Sequence, residues 1–186
     1  EVRKIKQGSY SSFEEERLRE ALKVLKSYKI VHKYKPEWRD EDIYSTVKIL
    51  QNKYGLDFLV FDYIKANDGD ANTLYNKLGQ KADYLKNIIA GQLNIAVLTA
   101  SQLNRQGEIS DSDKLARYVS TVVYWKQKNK SELEGQDWKK IGNATMQVRT
   151  NRLGEQMCDD EYIHCCFDGN RMTVWEAPEQ KQDINL

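Results

Sequence analysis

Two short apolar runs of the sequence each end in side chains suited to holding a nucleotide or a metal ion. Residues 56–65 contain an apolar run that ends at Asp62, and residues 94–100 lead directly into Ser101 and Gln102. Burying an unpaired carboxylate costs free energy, whereas the carboxyl edge of a parallel sheet is where α/β folds bind their ligands. The pattern therefore predicts two buried strands that deliver a carboxylate and an amide to one nucleotide site.

The order of elements around these runs predicts an α/β fold with a mostly parallel sheet flanked by helices. A helix is expected to begin at Ser12, with Ser12 facing Glu15 in a capping box. A second helix should begin at Asp40 and end at Gly55. A third helix is expected over 74–92, strands over 29–34, 56–64, 94–100, 119–125 and 144–151, and a hairpin over 162–167 and 172–175. The lysine-rich residues 126–143 are predicted to form a solvated loop.

Composition excludes some classes of protein. The chain has 186 residues, 40% of them hydrophobic and 31% charged, which is enough for one domain with a core. The net charge of +1 gives no global reason to expect nucleic-acid binding. No apolar run approaches the roughly 18 residues that a membrane helix requires. The three cysteines show no metal-ligand spacing, so we expect reduced thiols and a cytoplasmic location.

A series of short motifs connects the chain to a known family. In order they are Asp62-Tyr63-Ile64, Ser101-Gln102-Leu103-Asn104-Arg105, Val122-Val123-Tyr124 and Asn151-Arg152-Leu153-Gly154. Their order and spacing resemble those of the carboxyl-terminal, RecA-like motor domain of DnaB-type replicative DNA helicases. The resemblance runs from about residue 5 to residue 174. It implies a RecA-like sheet, ATP and Mg²⁺ as cofactors, and a hexameric ring in the intact protein.

The resemblance also implies roles for individual residues. Asp62 matches the Walker-B aspartate, which positions Mg²⁺, and Gln102 matches a polar sensor between the γ-phosphate and the DNA-facing loops. Arg152 matches the arginine finger that reaches the ATP of the neighbouring subunit. The family usually has a lysine two residues before this arginine, and here that place is Thr150. Arg149 can replace the lysine as a nucleotide-binding residue only if the strand bulges, because neighbouring residues on a strand face opposite sides.

DNA contacts in the family come from loops that line the channel of the ring. Those loops correspond to about residues 65–76 and 105–114, so Lys65, Arg105 and Lys114 are the expected contacts to single-stranded DNA. Nearby acidic residues oppose this small basic patch. Primase and a helicase loader are further partners that the family suggests.

A P-loop is missing from the sequence. A P-loop needs glycine followed by lysine, and none of the ten glycines has that neighbour. We therefore expect residues 1–177 to be a partial RecA-like domain, incomplete at the amino end, followed by a flexible tail over 178–186. The leading hypothesis is a piece of a helicase motor that is inactive alone. The alternatives are a short, non-hydrolysing relative that binds a helicase ring, and another RecA-like ATPase of the recombinase type.

Overall fold

The computed structural model describes residues 2–65, 71–102 and 117–178 of the chain. The longer helices are α1 (Val2–Gln7), α2 (Ser12–Ser27), α3 (Asp40–Tyr54) and α4 (Ala71–Tyr84), and α4 continues as a π-helix over Leu85–Gln92. The strands are β1 (Phe58–Phe61), β2 (Ala96–Thr99), β3 (Thr121–Gln127), β4 (Ala144–Asn151), β5 (Ile163–Asp168) and β6 (Thr173–Glu176).

The six strands form two sheets. β1 and β2 pair in parallel, in register from Phe58 with Ala96 to Phe61 with Thr99. β3, β4, β5 and β6 follow one another in a four-stranded sheet. In that sheet β5 and β6 form an antiparallel hairpin. The predicted α/β class and the closing hairpin are confirmed. Within the described ranges, the parallel pairing is that of β1 with β2, while the larger sheet is antiparallel.

The chain divides into two compact units. The second unit, Glu37–Lys126 with Met146–Tyr162, contains the main hydrophobic core. α3 contributes Ile43 and Val47, which lie one turn apart on the same face. α3 ends at Gly55, whose φ of 71° is readily adopted by glycine and lets the chain turn into β1. The buried members of the core are Ile43, Val47, Ile64, Ala82, Leu85, Ile89, Leu93 and Ile95.

The first unit consists of Glu1–Pro36, Gln127–Thr145 and Ile163–Leu186. Its helix α2 begins with a capping box between Ser11 and Glu14, one residue before the predicted pair. Glu14 also accepts a 2.6 Å bond from Lys4, and this contact, together with the bonds from Ser11, lowers the pKa of the Glu14 carboxyl to about 2. α2 has no buried residue. Elsewhere in this unit the Asn143 side chain donates to the Phe167 carbonyl and accepts its amide, at 2.9 and 2.7 Å.

Two sequence predictions for the first unit are wrong. Residues 29–34 form no strand, and Tyr34 is 83% exposed. An alternating segment becomes a strand only when another strand pairs with it, and none of the described residues does so here. The predicted loop at 126–143 contains two single-turn helices, Lys130–Leu133 and Trp138–Ile141. The side chains of Asn129 and Asp137 cap them by accepting backbone amides.

Among the described helices, none is long and apolar enough to cross a membrane. The predicted tail at 178–186 lies, apart from Pro178, outside the described residues.

Candidate functional site

The edge where β1 and β2 end is built by main-chain pairing above the core of the second unit. Leu59, Phe61 and Val97 pack against the buried core. The Thr99 hydroxyl donates to the Phe61 carbonyl at 2.7 Å, so the ends of the two strands are joined. The pairing continues past the strands, because the Ile64 amide donates to the Ala100 carbonyl at 3.0 Å. The residues immediately after both strands are therefore held side by side.

Asp62 and Gln102 leave the sheet at this edge. Asp62 directly follows Phe61, Gln102 comes three residues after Thr99, and both are exposed. The peptide bond between Asp62 and Tyr63 is cis. Because parallel strands end at the same side of a sheet, the structure brings these two predicted site residues to one edge.

The chemistry of Asp62 fits a magnesium ion. An exposed carboxylate at a sheet edge supplies the hard oxygen ligand that Mg²⁺ prefers, while water and phosphate oxygens complete its coordination. In the part of the chain that the structure describes, Asp62 has no ion-pair partner, so its oxygens are not engaged by a described cation. The same part contains no cluster of three or more His, Cys, Asp or Glu residues that could hold a metal without substrate.

Arg152 lies in an exposed turn at the end of β4. Its amide donates to the Ser120 carbonyl at 2.9 Å, and its guanidinium donates to the Arg117 carbonyl. The next residue, Leu153, is 90% exposed, so the turn projects into solvent. The backbone of Arg152 is therefore fixed to the segment that precedes β3, while its side chain stays at the surface.

The segment that holds Arg152 is itself attached to the helix beside the core. The Lys86 ammonium, on the π-helix, donates to the Ser120 hydroxyl at 2.6 Å. Tyr118 packs so closely on α4 that a Cβ added at Gly79 would lie 3.3 Å from its ring. Because the π-helix also contributes Leu85 and Ile89 to the core, Arg152 has a continuous connection to the elements beneath the β1–β2 edge.

Arg149 has different partners from Arg152. It forms an ion pair with Asp159, and its guanidinium lies 5.5 Å from the centre of the Tyr124 ring. The turn that carries Asp159 is fastened by Gln147, which is buried. Its amide nitrogen donates to the carbonyls of Cys158, Asp159 and Glu161 at 2.8 to 3.1 Å. The structure therefore does not bring Arg149 into the hydrogen-bond network around Arg152.

The expected DNA contacts are only partly visible. Lys65 is exposed and lies three residues beyond Asp62, at the start of the predicted loop. Arg105 and Lys114 lie outside the described residues.

Sequence reasoning missed several residues that shape the site. The contact between Lys86 and Ser120 joins positions 34 residues apart and has no local sequence signal. The contacts of Arg149 with Asp159 and Tyr124 also have no local sequence signal. Asn151 could have been found from the sequence. Its side chain accepts the amide of Leu153, two residues on, and asparagine before an exposed turn commonly makes this bond.

Comparison with known protein families identifies the chain. The family model for the DnaB-like helicase C terminal domain matches residues 1–117. The chain belongs to this family, and the family defines it as part of a replicative helicase motor domain with a RecA-like fold. Asp62 and Gln102 lie inside the matched range, while Arg149 and Arg152 lie beyond it. Comparison with curated proteins gave no match.

Members of this family use ATP and Mg²⁺, bind DNA and assemble as hexamers. The expected helicase class of the intact protein agrees with the family.

Proposed function

We propose that the chain forms part of a ring-shaped motor that couples ATP hydrolysis at subunit interfaces to translocation on DNA and to unwinding. The observation that supports this most directly is the common edge of β1 and β2. There the strand register and the bond from Ile64 to Ala100 put Asp62, a carboxylate suited to Mg²⁺, and Gln102, an amide, at the same edge of the sheet. A carboxylate for Mg²⁺ and a polar group that can both donate and accept are two of the groups that a phosphoryl-transfer site requires.

Each residue has a separate task in this proposal. Asp62 orients the hydrated Mg²⁺ that neutralises charge on the β- and γ-phosphates when MgATP binds. Gln102 hydrogen-bonds near the γ-phosphate and changes partner when that phosphate leaves, which transmits the event to the loop that follows it. An amide suits this task because its two ends have opposite hydrogen-bonding character.

Arg152 acts in the neighbouring subunit. It lies in a projecting turn, and a guanidinium is a cation that can bond two phosphate oxygens at once. Such a cation stabilises the charge that spreads over the γ-phosphate oxygens in the transition state. Arg149, displaced by one residue from the family's lysine, is proposed as a second nucleotide-binding cation at the same interface.

The remaining expectations complete the proposal. Lys65, Arg105 and Lys114 contact the phosphate backbone of single-stranded DNA in the channel. Residues 1–177 act as a partial RecA-like motor domain that contains no P-loop of its own. Primase and a loader dock on the assembled ring, which works in the cytoplasm of a bacterial or phage-infected cell.

The test compares Arg152→Ala with a matched control in the complete encoded protein that contains this chain. Arg171 is a suitable control, because it is an exposed arginine that pairs with Asp168 and belongs to the other unit. We expect Arg152→Ala to lower MgATP turnover by about 10³-fold while nucleotide binding stays within about twofold. Arg171→Ala should keep the wild-type rate. Steady-state turnover and equilibrium binding of a fluorescent ATP analogue measure the two quantities.

Three further results decide between the hypotheses. The 186-residue chain alone should show no turnover, because it contains no glycine followed by lysine. Loss of nucleotide binding in Arg152→Ala, with an unchanged rate per bound ATP, would contradict the finger assignment. A complete protein that binds an established helicase ring without hydrolysing ATP would instead support the non-hydrolysing relative.

A further inference from the structure

The turn that carries Arg152 is organised by one side chain, that of Asn151. Its Oδ1 accepts the Leu153 amide at 3.2 Å, and its Nδ2 donates to the Glu155 carbonyl at 3.2 Å. The two ends of one amide therefore bond the backbone on both sides of Gly154. On β3, the Thr121 hydroxyl donates to the same Oδ1 at 3.4 Å. The Asn151 amide thus connects the turn to the neighbouring strand.

Gly154 lies directly against the Asn151 side-chain amide. A Cβ at position 154 would lie 2.9 Å from Nδ2 of Asn151 and 3.7 Å from its Cγ. The first distance is too short for a carbon atom beside a nitrogen. Any larger residue at 154 would therefore push the Asn151 amide out of its place. Because this amide is the far end of a side chain, the amide would move before the backbone does.

We propose that Asn151 is a positioning residue for Arg152, and that position 154 requires glycine because a larger side chain would displace the Asn151 amide. This inference rests on the proposed function, in which Arg152 reaches a neighbouring nucleotide. Asn151 acts through Arg152, since it sets where β4 ends and how the turn leaves the strand. An amide is required because the position needs both a donor and an acceptor, and a carboxylate supplies acceptors alone.

The first experiment measures turnover and nucleotide binding for Asn151→Asp and Asn151→Ala in the complete encoded protein. Both should lower turnover by between about 10- and 100-fold, the effect of a small misplacement of a catalytic group. The dissociation constant for nucleotide should stay within about twofold. In an Arg152→Ala background the same substitutions should have no additional effect, because the group that they position is absent.

The second experiment uses the fit between Gly154 and Asn151. Gly154→Ala alone should lower turnover as much as Asn151→Ala does. The double variant Asn151→Ala with Gly154→Ala should be no slower than Asn151→Ala, because the atom that the new methyl group meets has been removed. Gly169→Ala is the control, since a Cβ there would lie at an ordinary 3.6 Å from Phe167. It should keep the wild-type rate.

The outcomes separate this inference from the proposed function. If Arg152→Ala turns over ATP normally, the finger assignment fails and the inference fails with it. If Arg152→Ala is inactive but the variants at 151 and 154 match wild type, the inference alone is overturned. It is also overturned if Gly154→Ala and Asn151→Ala add to each other, or if either lowers turnover in the Arg152→Ala background. Thermal unfolding midpoints within about 2 °C of wild type, expected for an exposed turn, confirm that the fold is intact.

Discussion

The β1–β2 edge and the turn after β4 hold their polar residues by different means. At the edge, main-chain pairing decides where Asp62 and Gln102 leave the sheet. In the turn, a main-chain bond from Arg152 to Ser120 is supplemented mainly by side chains, namely the Asn151 amide and the Lys86–Ser120 contact. A group placed by the backbone keeps its position when neighbouring side chains change. A group placed by side chains can be displaced by one substitution far from the reacting atoms.

The largest expected effect in this comparison is that of Asp62→Asn. It should lower turnover of the complete protein by about 100-fold or more, since an amide oxygen is a much weaker Mg²⁺ ligand than a carboxylate. The thermal midpoint should stay unchanged, because main-chain bonds hold the edge. Asp57→Asn is the matched control, as Asp57 is an exposed aspartate just before the other end of the same strand. Steady-state MgATP hydrolysis and calorimetry measure both quantities. Equal rates for the two variants would contradict a metal role for Asp62.

A smaller effect is expected at Gln102, which we assign to signalling between nucleotide and DNA. In Gln102→Ala the ratio of turnover with and without single-stranded DNA should fall by about tenfold, the size expected from losing one or two hydrogen bonds. Gln80→Ala, an exposed residue of α4, should keep the wild-type ratio. Turnover assays with and without oligothymidylate give the ratio. An unchanged ratio in Gln102→Ala would contradict a role of Gln102 in signalling between nucleotide and DNA.

The smallest effect concerns the second turn that side chains hold, the one that carries Cys158. The Glu161 carboxylate lies beside the Cys158 thiol, accepts the Cys158 amide at 2.7 Å and raises the pKa of the thiol. Below that pKa the thiolate fraction limits the rate of alkylation. Glu161→Gln should therefore speed iodoacetamide labelling of Cys158 at pH 8 by about two- to fivefold. At pH values above the thiol pKa the two proteins should react equally fast.

The control for the thiol experiment is Asp160→Asn, because Asp160 makes a smaller contribution to the pKa of Cys158. Its labelling rate should lie between wild type and Glu161→Gln. Burial raises the pKa values of Cys165 and Cys166, which should stay unlabelled in the folded protein. Equal labelling of Glu161→Gln and wild type at pH 8 would show that Glu161 does not raise the pKa of the Cys158 thiol.

Local patterns predicted the edge better than the turn. An apolar run followed by a polar residue was enough to place β1, β2, Asp62 and Gln102. The prediction that both strands are buried is wrong, because one face of each strand is exposed, with Phe58, Val60 and Leu98 at the surface. Ser-x-x-Glu occurs in two overlapping copies, at Ser11 and at Ser12, and the contact from Lys4 favours Glu14. The capping box was therefore predicted one residue late.

Long-range partners explain the other differences. Residues 29–34 have strand-like alternation but no described pairing strand, and the support of Ser120 by Lys86 joins distant positions. Neither the lack of a pairing strand for residues 29–34 nor the contact between Lys86 and Ser120 can be predicted from local sequence. Arg152 was found through resemblance to a family, whereas the reason for Gly154 became visible only when the Asn151 amide was seen against it.

The bond from Lys86 to Ser120 has a consequence for a ring of identical subunits. Ser120 accepts the Arg152 amide through its carbonyl and the Lys86 ammonium through its hydroxyl. The backbone of Arg152 is therefore connected to the π-helix, which packs in the same core as β1. Under the proposed function, this connection joins a subunit's own nucleotide edge to the arginine that it supplies to its neighbour. A change at one edge would then affect the next site in one direction around the ring.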